Sequence, residues 1–125
     1  MSPKTKSMHL LLVEDDDDLR ELMADLFRGE FSKVSEANNG RDALRMIMDD
    51  PSIAVVLSDV RMPNGDGIEL IKALHSLSRP QKPVVFLVTG FSDFDLTEAK
   101  KFGVRDVFAK PCQFSELIKR ISDSL

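Results

Sequence analysis

Short apolar runs alternate with longer amphipathic stretches along this chain. Residues 9–13, 53–57 and 84–88 are runs dominated by Leu, Val, Ile and Phe. Apolar runs of that length, bounded by polar clusters, predict strands buried on both faces, as in a parallel sheet. Residues 31–37 alternate more loosely and 107–109 form a short run; both predict weaker strands. The intervening stretches repeat with a helical period. Leu19, Leu22, Met23, Leu26 and Phe27 form one stripe, closed by Gly29. Ala43, Leu44, Ile47 and Met48 form a second, with Pro51 beyond it. Leu70, Ile71, Leu74 and Leu77 form a third, on a helix starting near Asp66 and followed by a loop at 78–83. A poorer helix is predicted over about 94–102, with Gly103 past its end, and Phe114, Leu117, Ile118, Ile121 and Leu125 mark the last.

The order is strand then helix, five times. Such alternation predicts an α/β fold with helices on both faces of a parallel sheet. Right-handed crossovers leave few topologies. Five strands favour the flavodoxin-like (βα)5 order 2-1-3-4-5. Residues 1–8 are polar and predict a flexible tail, leaving 9–125 as one domain.

Composition narrows the function more than the fold. With 125 residues, 42% apolar content and 30% charged, the chain can bury a core without staples. A net charge of −4, with no basic run, argues against direct nucleic-acid binding. The lone Cys112 excludes an internal disulfide and fits a reducing compartment. No stretch is long and apolar enough for a signal peptide or a membrane span, so a cytoplasmic chain is expected.

Chemistry collects at the predicted strand ends. The first run ends in Glu14-Asp15, the third in Asp59, the fourth in Thr89 and the fifth in Lys110. In the order 2-1-3-4-5 these ends are neighbours, at the edge where α/β sheets bind ligands. Three carboxylates so close repel one another unless a cation joins them. Mg²⁺ suits a few carboxylates with waters and phosphate oxygens. Thr89 offers a hydroxyl and Lys110 a point charge for phosphate. Acids, metal, hydroxyl and lysine together describe a phosphoryl-transfer site, with Asp59 the candidate nucleophile.

The sequence resembles the receiver domains of two-component response regulators. The resemblance rests on Glu14-Asp15 after the first strand and on Asp59 with Met62-Pro63 and Asp66-Gly67 behind it. Thr89-Gly90 and Lys110-Pro111 complete it, over about residues 8–125. It implies that Asp59 accepts a phosphoryl group from a histidine kinase or phosphotransfer protein. It implies that Asp15, Glu14 and Asp59 hold Mg²⁺, which Mn²⁺ can replace, with the main-chain carbonyl of Arg61 as a further ligand. Thr89 and Lys110 would bind the phosphoryl oxygens, and the bond before Pro111 is usually cis in the family. The output face would be helix four, strand five and helix five. Self-hydrolysis would reset the switch, so the chain would not be an enzyme acting on other substrates.

The family often carries an aromatic residue where this chain has Val107, and often Phe where it has Cys112. Phe108 cannot replace the former simply, because neighbouring strand residues face opposite ways. The segment 89–110 is one residue shorter than expected, which points to an altered fourth helix. Arg61 and Phe91 flank the expected phosphoryl position without any acceptor to orient a water, so slow self-dephosphorylation is expected. Asp16, Asp17, Asp18 and Asp66 read as helix caps and first-turn acids, not ligands. His9 and His75 lack metal spacing, and Cys112 reads as an inert apolar residue. Two other functions fit the residues less well. A haloacid-dehalogenase-like phosphatase would need a second acid at Arg61 and a cap; an interaction module that has lost phosphorylation would not keep the acid, Thr and Lys set.

Overall fold

The computed structural model describes residues 4–62, 66–90 and 96–125. Its strands are β1 (His9–Val13), β2 (Lys33–Ala37), β3 (Ile53–Asp59), β4 (Val84–Thr89) and β5 (Val104–Ala109). Its helices are α1 (Asp17–Arg28), α2 (Gly40–Asp49), α3 (Gly67–His75), α4 (Leu96–Lys101) and α5 (Phe114–Ser124). The five strands are parallel, in the order β2-β1-β3-β4-β5. This is the flavodoxin-like arrangement that the alternating pattern predicts.

Period-two alternation divides each central strand between two cores. Leu11, Val13, Val56 and Leu87 pack with Ala43, Ile47, Leu70, Ile71, Leu74 and Ala99, against α2, α3 and α4. Leu10, Leu12, Val55, Leu57 and Phe86 pack with Ala24, Phe27, Leu117, Ile118 and Ile121, against α1 and α5. Each fully buried Leu, Ile or Phe contributes roughly 1.5–3 kcal/mol. The three central strands thus carry the fold and hold their carboxyl ends in register.

Several boundaries differ from the expected ones. The described part of the tail, residues 4–8, is held down: Thr5–Ser7 form one 3₁₀ turn and Thr5 is fully buried. Lys4 Nζ donates to Leu125 O at 3.0 Å and Lys6 Nζ to Gly29 O at 2.7 Å. Both lysines meet carbonyls left over at helix ends, a long-range tie that polar composition does not reveal. β2 starts only at Lys33, because Phe31 N–H donates to Phe27 O at 2.9 Å and its ring packs edge-on to Phe27. β5 starts earlier, at Val104, because an edge strand tolerates charge: Arg105 is exposed and Asp106 pairs with Arg120 of α5 at 3.1 Å. Leu22, Leu26 and Met48 face outward, at 60%, 43% and 57% exposure. Each lies one residue, about 100° of helix, from the truly inward Met23, Phe27 or Ile47. The predicted start of the fourth helix, at residue 94, lies outside the described residues.

Candidate functional site

Each predicted site residue sits where a strand stops. Glu14 follows β1, and its N–H donates to Ala37 O at 3.0 Å, so it continues the ladder and stays buried at 5% exposure. Asp15 is exposed. Asp16 caps α1, accepting from Leu19 N at 3.1 Å, and its own N–H donates to Glu14 Oε2 at 3.1 Å. Asp17 and Asp18 occupy the first turn, as their dipole role requires. Arg20 donates to Glu14 O at 2.9 Å and pairs with Glu36 and Asp17. Sequence reasoning missed this brace, since nothing local marks an arginine that grips the backbone of another element.

Asp59 is the last residue of β3, with only 10% of its side chain exposed. The chain leaves β3 by a tight path. Val60 N–H donates to Val88 O at 3.0 Å, and Gly67 N–H donates to Val60 O at 2.8 Å. A Cβ on Gly67 would lie 2.5 Å from Asp59 O, so only glycine lets α3 start this close to the strand end. Asp66 caps α3, accepting from Glu69 N at 2.9 Å. Arg61 is exposed, and its N–H points to Asp59 Oδ1 at 3.4 Å.

Thr89 ends β4, 7% exposed, and its carbonyl accepts from Lys110 N–H at 2.9 Å. Lys110 follows β5 at a cis bond to Pro111. Its Nζ lies 2.5 Å from Asp59 Oδ2 and 3.7 Å from Glu14 Oε1. Residues at the carboxyl ends of β1, β3 and β5 therefore meet at one point.

Ligand atoms of Glu14, Asp15 and Asp59 lie within 4.8 Å of one another, facing the single Lys110 ammonium. The cluster closes one end of an apolar cavity of about 520 Å³, walled by Leu19, Met23, Leu57 and Leu117. Burial beside that cavity pushes the Glu14 carboxyl up to about 7, and the Asp15 hydrogen bond and Asp59 charge add to it. Burial acts to lower Lys110, but its hydrogen bond with Asp59 and the nearby acids outweigh that and raise it. The acids outnumber the cation, and carboxylates crowded to this degree fit a hard divalent ion. Oxygen donors alone, without His or Cys, favour Mg²⁺ or Mn²⁺ over zinc.

A protein-family model described as the response regulator receiver domain matches residues 10–122. The chain belongs to this family. It is 39% identical over 112 residues to the transcriptional regulatory protein CpxR homolog of Haemophilus influenzae, covering 90% of this chain and 48% of that protein. CpxR of Escherichia coli is 37% identical over 112 residues, 90% of this chain and 47% of the relative. The chain thus spans about half the length of these relatives. Among solved structures, the chemotaxis response regulator CheY4 of Vibrio cholerae superposes with a TM-score of 0.83 at 25% identity, covering 95% of this chain and 99% of the other. A putative response regulator from Chloroflexus aurantiacus gives a TM-score of 0.79 at 28% identity, covering 95% and 98%. The chain is a receiver domain of two-component signalling, a phosphorylation-controlled element.

The departures from the family pattern have a structural footing. Val107 is half-buried against the α2–α4 core, whereas Phe108 turns to the opposite core, stacked on Phe86 at 5.7 Å and capped by Arg120 at 4.6 Å. Phe108 does not replace an aromatic at 107. Cys112 is half-buried, and burial raises its thiol, away from the reactive range. His9 lies between Ser35 and Ser52 hydroxyls, and His75 is exposed with its ring edge-on to Phe102. Pro63 and Phe91 lie outside the described residues.

Proposed function

We propose that Asp59 accepts a phosphoryl group from the phosphohistidine of a partner kinase or phosphotransfer protein. One observation carries this reading: Glu14 and Asp59, from two strands, converge with Lys110, which follows a third, around the Asp59 carboxylate. An Asp59 oxygen attacks phosphorus, the nitrogen–phosphorus bond breaks, and the imidazole leaves with its electron pair. Glu14, Asp15 and Asp59, with the Arg61 carbonyl, would hold Mg²⁺, whose charge offsets that of the transferring group. Lys110 exchanges its Asp59 contact for a phosphoryl oxygen, and the Thr89 hydroxyl donates to another. Water later cleaves the acyl phosphate, and the Arg61 side chain offers no acceptor to orient that water.

Phosphorylation would bias a two-state equilibrium read at the face of α4, β5 and α5. The chain is proposed to act in the cytoplasm as a switch, not as an enzyme on external substrates. Among the described residues no helix is long and apolar enough to cross a membrane. Incubation with acetyl phosphate and Mg²⁺ tests the proposal. One phosphoryl group, labile to base and hydroxylamine, is expected in the wild type and none in Asp59→Ala. Equal incorporation in that variant would move the acceptor elsewhere.

A further inference from the structure

Asp15 is exposed, so packing alone does not fix where its carboxylate points. The peptide units on either side of it do. Each unit is planar, so holding one of its atoms sets the direction of the chain through it. The unit before Asp15 contains the Glu14 carbonyl, which accepts from Arg20 Nη1 at 2.9 Å. The unit after it contains the Asp16 N–H, which donates to Glu14 Oε2 at 3.1 Å.

Arg20 is itself anchored. Its Nη1 lies 2.8 Å from Asp17 Oδ1, and its Nε lies 3.2 Å from Glu36 Oε1 on β2. The other Glu36 oxygen meets Arg28 Nη2 at 3.0 Å, and Arg28 pairs with Asp25 at 2.9 Å. Asp42 and Arg45 line the cavity beside Arg20 and Glu36 and add one charge of each sign. Only 13% of the Arg20 side chain is exposed, so water competes little for its donors. A planar guanidinium serves the carbonyl and Glu36 at once, which a single ammonium nitrogen does not.

We propose that Arg20 is a positioning residue for the metal: it grips the Glu14 carbonyl, with Glu36 as its anchor, and so aims the Glu14 and Asp15 carboxylates at the ion. This rests on Glu14, Asp15 and Asp59 holding Mg²⁺. Groups behind metal ligands commonly change metal affinity about ten- to hundredfold when removed. A pure charge effect has the opposite sign, since losing one cation near clustered carboxylates favours binding of another.

The test is an amide chemical-shift titration of the whole chain with Mg²⁺, with urea unfolding of each variant in metal-free buffer. Arg20→Met keeps the stem without the donors and should weaken Mg²⁺ about tenfold. Arg20→Lys keeps the charge with one nitrogen and should fall between Arg20→Met and the wild type. Glu36→Gln leaves Arg20 without its charged anchor and should weaken Mg²⁺ about threefold. Wild-type or tighter affinity in Arg20→Met would overturn the proposal. If Arg20→Met does not fold, wild-type affinity in both Arg20→Lys and Glu36→Gln would do so. Lower metal-free stability with unchanged affinity would make Arg20 a brace of the fold alone and overturn it too. In each of these cases loss of Mg²⁺ binding in Asp15→Asn would leave the metal site standing. No saturable shift in the wild type at millimolar Mg²⁺ would overturn both.

Discussion

The Asp59–Lys110 contact at 2.5 Å decides what single substitutions should do. Lys110 touches Asp59 and Thr89 ends the neighbouring strand, and neither would supply the attacking oxygen of the proposed transfer. Lys110→Ala and Thr89→Ala are therefore expected to retain partial phosphorylation by acetyl phosphate. Both should lose the coupled response of β5 and α5, since the groups that would follow the phosphoryl oxygens are gone. Amide shifts on phosphorylation provide the measurement, and wild-type changes at α5 in both variants would refute the coupling role. The acidic pair was legible because it directly follows an apolar run. Arg20 and Gly67 were not, because the partners they touch lie on other elements: Glu36 for Arg20 and the Asp59 carbonyl for Gly67.

At the level of elements, α1 shows how far a hydrophobic stripe can be trusted. Five apolar residues suggested one face, yet Phe27 is fully buried while Leu22 is 60% exposed. Phe27 also stacks edge-on to Phe31 and Phe114, tying α1 to α5. Phe27→Ala should therefore cost about 3–5 kcal/mol in urea unfolding. Leu22→Gln should stay within roughly 0.5 kcal/mol of wild type. If the two variants unfold alike, the orientation of α1 given above is wrong.

Metal should act on the whole molecule at the carboxyl ends of the strands, and pH at both ends, since the Glu14 carboxyl is raised to about 7 and the His9 imidazole is lowered. At the carboxyl ends, Mg²⁺ binding should stabilise the fold by mass action, about 2.7 kcal/mol at a hundredfold excess over its dissociation constant. Asp15→Asn should remove most of that gain, and a full gain in this variant would remove Asp15 from the ligand set. At the opposite end, His9 is 5% exposed, with Nδ1 2.9 Å from Ser52 Oγ and Nε2 2.7 Å from Ser35 Oγ. The Ser52 hydroxyl donates to Asp50 at 2.6 Å, so His9 Nδ1 carries the proton and Nε2 accepts from Ser35. Burial lowers the His9 pKa, Asp50 partly opposes this, and Lys33 adds to it. The unfolded chain therefore binds the proton first as pH falls. The His9 contribution is complete above about pH 6.5, the unfolded value, and is lost as pH drops through the folded one. His9→Gln should flatten that part of the stability profile; an unchanged slope would show that His9 does not titrate there.

Order along the chain was enough to determine the layered parallel sheet, its strand order and the clustering of Glu14, Asp15, Asp59, Thr89 and Lys110 near one edge. The elements follow from local period, which is written in neighbouring residues, and the strand order from the few topologies that right-handed crossovers leave. Tertiary structure alone decided which side of each stripe faces inward, where β2 and β5 begin and how residues 4–8 are held. It also decided the close approach at Gly67. Each of these depends on groups far apart in sequence meeting in space. The Lys4 contact with Leu125 spans 121 positions, and no window along the chain contains both ends of it.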